Sequence, residues 1–374
     1  MADVEASSGA FGGVFRGRRV LVTGHTGFKG SWLCEWLLNL GATVCGIGLA
    51  PDTEPSLFKQ LGIEGRIEHH IQDIRQPEAT AAILRKFRPD FVLHLAAQAL
   101  VRRSYEQPVE TWETNVLGSI SVLESLRSLD PPHHPCAALF ITTDKCYENR
   151  EWIYAYREVD PLGGHDPYSS SKAGAEIAIA AWRRSFFQDG AVKIASARAG
   201  NVIGGGDWAL DRIVPDCMRA LARGETIPVR NKIATRPWQH VLEPLGGYLW
   251  LACQLRVADC GLRIADAFNF GPRLESNRTV AELVTEILKH RPGKWEDRSD
   301  PNAPHEAALL NLSIEKAFHL LKWRPVWDFA ETIAQTTDWY TQVEQSRETP
   351  PELTRRQIDA YCAAARAAGL PWAG

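Results

Sequence analysis

The 374-residue sequence predicts an α/β fold: a doubly wound parallel sheet followed by a smaller, mixed α/β C-terminal lobe. Three observations predict it. Short apolar, β-branched runs alternate with helical patterns through residue 200. The first of these runs leads straight into a glycine-rich turn and then a helix. Beyond residue 200 the texture changes to segments rich in Gly, Pro, Arg and Trp. Strands separated by helices need crossover connections, and right-handed crossovers build a parallel sheet covered on both faces. In such sheets ligands bind beyond the carboxyl ends of the strands.

Residues 1–15 are small and polar and read as a flexible leader without the apolar core of a secretory signal. Arg18–Thr23 is a buried strand, and SWLCEWLLNLGA is the helix that follows. Between them Gly24, Gly27 and Gly30 give G-x-x-G-x-x-G. The first glycine permits a tight turn, the second lets backbone approach a pyrophosphate, and the third packs helix on strand. The helix N-terminus offers free N–H groups and a positive dipole end. The alternative is a plain strand-to-helix turn. As a dinucleotide site, the turn makes Gly24, Thr26, Gly27, Phe28, Lys29 and Gly30 candidate cofactor contacts and residues 16–200 a Rossmann-type domain.

Ala42–Leu49 is the second strand. Such sites place an acid at its end for the adenosine ribose, or an arginine for a 2′-phosphate. Here Leu49-Ala50-Pro51 precede Asp52, which leaves NAD and NADP both open. A third strand-like segment, 67–74, ends on Asp73 and Ile74; the carboxylate either meets the adenine amino group or is an exposed loop acid. Ala79–Arg88 is a short helix, and Phe91–Ala97 is the fourth strand. Its small final residues let a flat cofactor lie on the backbone, so Leu95, Ala96, Ala97 and Gln98 join the candidate set. Thr114–Gly118 opens or sits within a helix up to Leu129. There Asn115 is a further cofactor candidate, with local bonding to helix backbone as its alternative. His133 and His134 read as solvated loop residues.

The stretch from Phe140 to Lys172 carries the chemistry. A strand delivers Thr142, Thr143, Asp144 and Lys145 to its carboxyl end, and Tyr168 and Lys172 lie one turn apart on one helix face. A free tyrosine, with a pKa of about 10, is a poor base at neutral pH. A neighbouring ammonium favours its phenolate. Tyr-x-x-x-Lys alone is as readily a surface helix pair. Cys146 has no histidine placed as its base and reads as a core thiol. Val192–Arg198 is the next strand. Arg212, Arg230 and Arg236 follow, either solvated or forming a phosphate site, since guanidinium is the natural bidentate partner of phosphate. Ala267–Gly271 looks like a returning strand, 279–290 and 326–343 like amphipathic helices, and 350–374 like one Ala/Arg helix. The organisation expected is a dinucleotide domain at 16–200 with a return segment around 236–270. A second-ligand lobe covers 201–235 and 271–345, and a helical tail covers 346–374.

Hydrophobic content of 45%, charged content of 23% and a net charge of −3 are those of a soluble protein without a general nucleic-acid or membrane surface. No apolar run is long enough to span a bilayer, and a cytoplasmic location is expected. The eight cysteines show no metal-ligand spacing, so no metal is expected.

On Thr-Gly-x-x-Gly-x-x-Gly at 23–30, Tyr-x-x-x-Lys at 168–172 and the segments around Asn201 and Arg236, the chain resembles the extended short-chain dehydrogenase/reductase (NAD-dependent epimerase/dehydratase) family. The stretches GHTGFKGSWL, TTDKCYENREW, DPLGGHDPYSSSKA, RAGNVIGGGDW, RPWQHVLEPLGGYL and FNFGPR are most similar to its 4,6-dehydratase branch acting on CDP-glucose. They span most of residues 20–330. The resemblance implies bound NAD, a CDP-hexose substrate, and an internal redox cycle that oxidises C4, removes water across C5 and C6, and reduces C6. It implies that Tyr168 takes the 4-hydroxyl proton and Thr143 hydrogen-bonds that hydroxyl. Lys172 lowers the tyrosine pKa and holds the nicotinamide ribose, and Asp144 is the acid on the C6 hydroxyl. Lys145 stands where many 4,6-dehydratases carry glutamate; it is either the C5 base or an enolate stabiliser, since an ammonium is a base only with a depressed pKa. Thr142 joins the cofactor set. Arg102, Ser104, Asn201, Val202, Arg212, Arg236, His240, Arg273 and His305 form the substrate set. A homodimer or dimer of dimers is implied, joined through the helix after Pro108 and the helix carrying Tyr168.

Three other readings compete. A nucleotide-sugar 4-epimerase shares the glycine turn and the Tyr/Lys pair but needs no acid and base after Thr143. A 4,6-dehydratase could act on a UDP-, dTDP- or GDP-linked sugar. A non-enzymatic dinucleotide sensor would not require both Tyr168 and Lys172.

Overall fold

The computed structural model describes residues 9–129, 135–188, 191–257, 264–299 and 309–374. His133, His134 and His305 lie outside these residues. Strands β1 (Arg19–Thr23), β2 (Thr43–Gly48), β3 (Glu68–Ile71), β4 (Phe91–His94), β5 (Cys136–Thr142) and β6 (Val192–Arg198) form one parallel sheet with the strand Ala267–Asn269. The spatial order is Ala267–Asn269, β6, β5, β4, β1, β2, β3. This is an α/β, Rossmann-type sheet, wound outward in both directions from β1. β5 (CAALFIT) is buried at every position, as a central parallel strand covered on both faces must be.

Helices α1 (Phe28–Asn39), α2 (Leu57–Gln60), α3 (Pro77–Phe87), α4 (Val101–Glu106), α5 (Pro108–Trp112), α6 (Gly118–Arg127), α7 (Pro167–Phe186), α8 (Ile213–Ala222) and α9 (Leu242–Val257) follow in chain order. One apolar cluster joins α1, α8, α9 and the C-terminal helices on one side of the sheet. A second joins α3, α6 and α7 on the other. α9 escaped sequence detection because it is apolar all round and almost wholly buried, which leaves no periodic stripe to read.

The strands stop sooner than their apolar runs suggest. Leu49, Asp73 and Leu95–Ala97 leave the sheet at its carboxyl edge. The expected helix at 114–129 begins earlier, at Pro108, and runs unbroken to Arg127 with a π turn at Glu113–Leu117 between α5 and α6. Asn115 in that turn does not bond locally. It pairs with the Gln98 backbone, Oδ1 accepting from N at 2.9 Å and Nδ2 donating to O at 3.0 Å, and donates to Ser171 Oγ at 2.8 Å.

Both chain ends correct expectation. Residues 9–15 are packed rather than loose, because Phe11 and Phe15, each 1% exposed, pack inside the apolar cluster. Phe11 stacks on Trp372 at 5.1 Å between ring centroids and leans on Trp36 at 5.6 Å. The tail is not one helix: Pro350–Ala367 ends before Gly369, whose φ is +70°, and Pro371–Ala373 forms a separate 3-10 turn.

Candidate active site

The end of β5 sets the centre. Thr143 is extended (φ −144°) and caps a single 3-10 turn, Asp144–Cys146, accepting from Lys145 N at 3.3 Å. Its hydroxyl donates to Asp144 Oδ1 at 2.9 Å. Asp144 is 1% exposed, and Asn201 Nδ2 donates to its second oxygen at 3.4 Å. Asn201 has φ +48°, a left-handed conformation that asparagine tolerates. α7 begins with Pro167 at its first position and Asp166 as its cap, accepting from Ser169 N at 2.9 Å. That start places Tyr168 in the first turn and Lys172 one turn later, both buried at the end of β5.

Burial drives the Tyr168 hydroxyl up to about 12; its hydrogen bond with Thr143 pulls the other way, Asp144 adds to the rise, and Arg212 opposes it. Burial pulls Lys172 down to about 8, against Glu176 and Cys146. Lys172 Nζ donates to the Ile141 carbonyl at 3.5 Å. Thr143 and Arg212 are the groups that oppose the rise at Tyr168.

Close backbone packing requires the first and third glycines of the turn. Gly24 has φ +73°, and a side chain there would meet Ala96 N at 2.7 Å. One at Gly30 would overlap the Gly24 carbonyl. α1 is capped by Gly27 with no side-chain acceptor, so its first N–H groups are free for an anion. The residues present fit a dinucleotide. Thr26 Oγ1 donates to Leu49 O at 2.9 Å. Leu95, Ala96 and Ala97 are half-buried along the crevice, and Phe28 lies near residue 204. Gln98 is folded back on Leu100 N at 2.6 Å. Ile74 is buried against Gly118. The Asp73 carboxylate is gripped by Arg75, through N and Nε at 2.9 Å each, which holds it below its usual range despite burial. Lys29, expected with the cofactor, faces the catalytic cluster as well. Its Nζ sits 6.0 Å from the Tyr248 ring centroid, and burial lowers it to about 8, helped by Arg212 and Lys172 and opposed by Asp144.

The substrate candidates divide. Arg212 pairs with Asp207 at 2.8 Å, and Tyr340 OH donates to the Asp207 carbonyl at 2.6 Å. Arg102 is exposed and reaches Asp211 at 3.8 Å. Arg236 is buried and donates to Thr235 O at 2.9 Å. Val202 pairs in parallel with Gln239 in a small two-stranded ribbon. Arg273 is exposed on a surface groove with Glu275, Arg278 and Lys289. Two candidates are corrected. Ser104 is fully buried, and its hydroxyl donates to the Val101 carbonyl of its own helix at 2.6 Å. His240 is fully buried between Trp32 and Trp327, its ring 5.8 and 4.9 Å from theirs. Burial lowers it to about 3, and Nδ1 accepts from Leu242 N at 3.3 Å. It is a core histidine.

Sequence reading missed Glu176 and Arg198, a buried ion pair at 2.7 Å behind the catalytic pair. The signal was there: an arginine closing the apolar strand KIASAR, and a glutamate one turn past Lys172. It also missed Gly200, whose lack of a side chain admits the Asp144 carboxylate. Cys45, Glu68 and His70 bring one potential ligand atom each within 4.8 Å of one another. Cys45 is buried, and burial pushes its thiol up to about 12.

Residues 21–336 match the family model described as GDP-mannose 4,6 dehydratase. The chain is 45% identical over 336 residues to a CDP-glucose 4,6-dehydratase of Salmonella typhimurium, covering 87% of this chain and 91% of the relative. It is 26% identical over 337 residues to a dTDP-glucose 4,6-dehydratase of Xanthomonas campestris pv. campestris, covering 86% and 92%. Among solved structures, DesIV, a dTDP-glucose 4,6-dehydratase from Streptomyces venezuelae with NAD and TYD bound, aligns with a TM-score of 0.73 at 23% identity, covering 88% of this chain and 98% of that one. A UDP-glucose-4-epimerase from Stenotrophomonas maltophila with bound NAD aligns with a TM-score of 0.74 at 22% identity, covering 88% and 99%. Both share the fold.

Proposed function

The chain belongs to the GDP-mannose 4,6 dehydratase family, and from that premise we propose that it is a CDP-glucose 4,6-dehydratase. It converts CDP-D-glucose to CDP-4-dehydro-6-deoxy-D-glucose and water, with NAD as its cofactor. The observation that carries this reading is the buried Asp144 carboxylate bonded to Thr143 beside Tyr168. A 4-epimerase has no step that needs such an acid.

Bound NAD supplies a hydride acceptor and, later in the same turnover, a hydride donor. The glycine turn and the free N–H groups of α1 would hold its pyrophosphate, and Lys172 its nicotinamide ribose. Tyr168 removes the proton of the sugar 4-hydroxyl, which Thr143 orients. Its buried phenol is a reluctant base, so the Lys172 ammonium has to face it in the loaded enzyme. The 4-ketone acidifies C5–H, and Lys145, as its free amine, takes that proton. Asp144, carrying a proton, gives it to the C6 hydroxyl, and water leaves as the C5–C6 double bond forms; C5 then regains its proton from Lys145 as C6 is reduced. Asn201 steadies the Asp144 carboxylate. Arg212 and Arg236 take the diphosphate, with Asp207 fixing the first.

No helix among the described residues is long and apolar enough to cross a membrane. The described cysteines are all free, which supports a reducing, cytoplasmic setting. A homodimer through α5, α6 and α7 would cover Val109, Trp112 and Ile177, which are 69%, 42% and 58% exposed.

The test is incubation with CDP-glucose and, separately, UDP-, dTDP- and GDP-hexoses without added reductant, followed by mass spectrometry. Loss of one water from CDP-glucose alone is expected. Isomerisation of another nucleotide sugar with no water loss from CDP-glucose would replace this reading with an epimerase.

A further inference from the structure

Behind the catalytic pair lies a charge cluster with no part in the steps above. Glu176, one turn beyond Lys172 on α7, and Arg198, the last residue of β6, are 2% and 4% exposed. The parallel register of β5 and β6 sets Thr142 beside Arg198. Both oxygens of Glu176 are engaged: Thr142 Oγ1 donates to Oε1 at 2.5 Å, Ser196 Oγ to Oε2 at 2.9 Å, and Arg198 Nη2 to Oε2 at 2.7 Å. Arg198 Nη1 donates to the Tyr147 hydroxyl at 2.7 Å, which donates to Asn269 Oδ1 at 2.8 Å. One buried point thus joins α7, β5, β6, the strand Ala267–Asn269 and the segment following Lys145. Desolvating two full charges is costly, and an apolar pair of similar volume often gives equal or greater stability. The fold alone does not call for this pair.

We propose that Glu176 is a positioning residue for the dehydratase reaction: fixed by Arg198, its carboxylate keeps Lys172 in its ammonium form beside Tyr168 and anchors Thr142, and through it the Thr143–Asp144 turn. This rests on the role given above to Lys172. The groups around Lys172 are Tyr168 and Glu176 on its own helix, Asp144 and Cys146 after β5, Lys29 in the first turn of α1, and His94 on β4. Burial keeps His94 neutral and the Cys146 thiol protonated, and Lys29 opposes a second cation. Asp144 is committed to Thr143 and Asn201. Glu176 is therefore the main counterweight to burial at Lys172.

The test titrates Lys172 by NMR in protein labelled with carbon-13 at lysine Cε, with Lys172→Arg assigning the signal. The Glu176→Gln/Arg198→Met double variant removes both charges and strands neither. Its Lys172 midpoint should fall by about one pH unit or more, and the basic limb of kcat on CDP-glucose should move down with it. An unchanged midpoint overturns the proposal whether or not the chain acts on CDP-glucose. Absence of turnover by the unaltered chain overturns the dehydratase reading instead. Should the double variant not fold, Glu176→Asp keeps Arg198 paired while withdrawing the carboxylate; a lowered midpoint supports the proposal and an unmoved one overturns it.

Discussion

The Asp144 carboxylate occupies the space that a side chain at residue 200 would fill: a Cβ built on Gly200 overlaps Asp144 Oδ2. The proposed acid and this glycine, from the turns after two neighbouring strands, are one fitted unit. Gly200→Ala should displace the carboxylate and remove general-acid help, a loss of roughly 10²–10⁴ in dehydration rate. C4 oxidation should persist, so mass spectrometry should detect a 4-keto sugar that has kept its water. Product formed at the unaltered rate would show that Asp144 is not the acid.

Lys145→Ala should leave C4 oxidation intact and stop solvent exchange at C5. Deuterium uptake at C5 in heavy water measures this directly. Undiminished uptake would take Lys145 out of the base role and leave it as an electrostatic partner of the enolate.

Glu243 is fully buried on α9 and accepts from Val326 N, from Trp327 N at 2.6 Å and from Tyr361 OH at 2.9 Å. Burial raises it to about 7, against those bonds and Arg273. Its folded value lies above its unfolded one. Its contribution to stability is therefore fully present below about 4.5 and is lost as pH rises through about 7. Glu243→Gln cannot ionise, so its Tm should fall less than that of the unaltered chain across this window. Calorimetry at a series of pH values checks it; parallel curves would contradict it.

Trp372 is fully buried, stacked on Phe11 and packed against Tyr361 at 5.6 Å. Trp372→Ala should cost about 3–5 kcal/mol in denaturant unfolding. A cost below about 1 kcal/mol would mean that the contact closes over the cavity.

Val109→Asp combined with Ile177→Asp places charges on the exposed apolar faces of α5 and α7. Light scattering should report a dimer for the unaltered chain and a monomer for this variant. An unchanged mass would move the interface elsewhere.

What the sequence exposed was local. The glycine turn and the Tyr168/Lys172 pair depend on spacing along one strand, turn or helix, and each was readable where it stood. Burial is a tertiary property, so Ser104 and His240 were misread: nothing adjacent in sequence says that Ser104 turns into its own helix or that two tryptophans flank His240. The Glu176–Arg198 pair forms only once β6 lies beside β5 and α7 crosses them. α9 left no trace because both its faces are apolar.

Tyr340 carries a consequence in the order of synthesis. Its hydroxyl fixes the Asp207 carbonyl, and Asp207 holds Arg212. A chain emerging N-terminus first can assemble the sheet, the glycine turn and Tyr168 well before residue 340 leaves the ribosome. The brace on Arg212 forms only when residue 340 has joined the fold. A chain cut before residue 340 would lose the brace on Asp207, and with it the hold on Arg212, the residue proposed for the diphosphate.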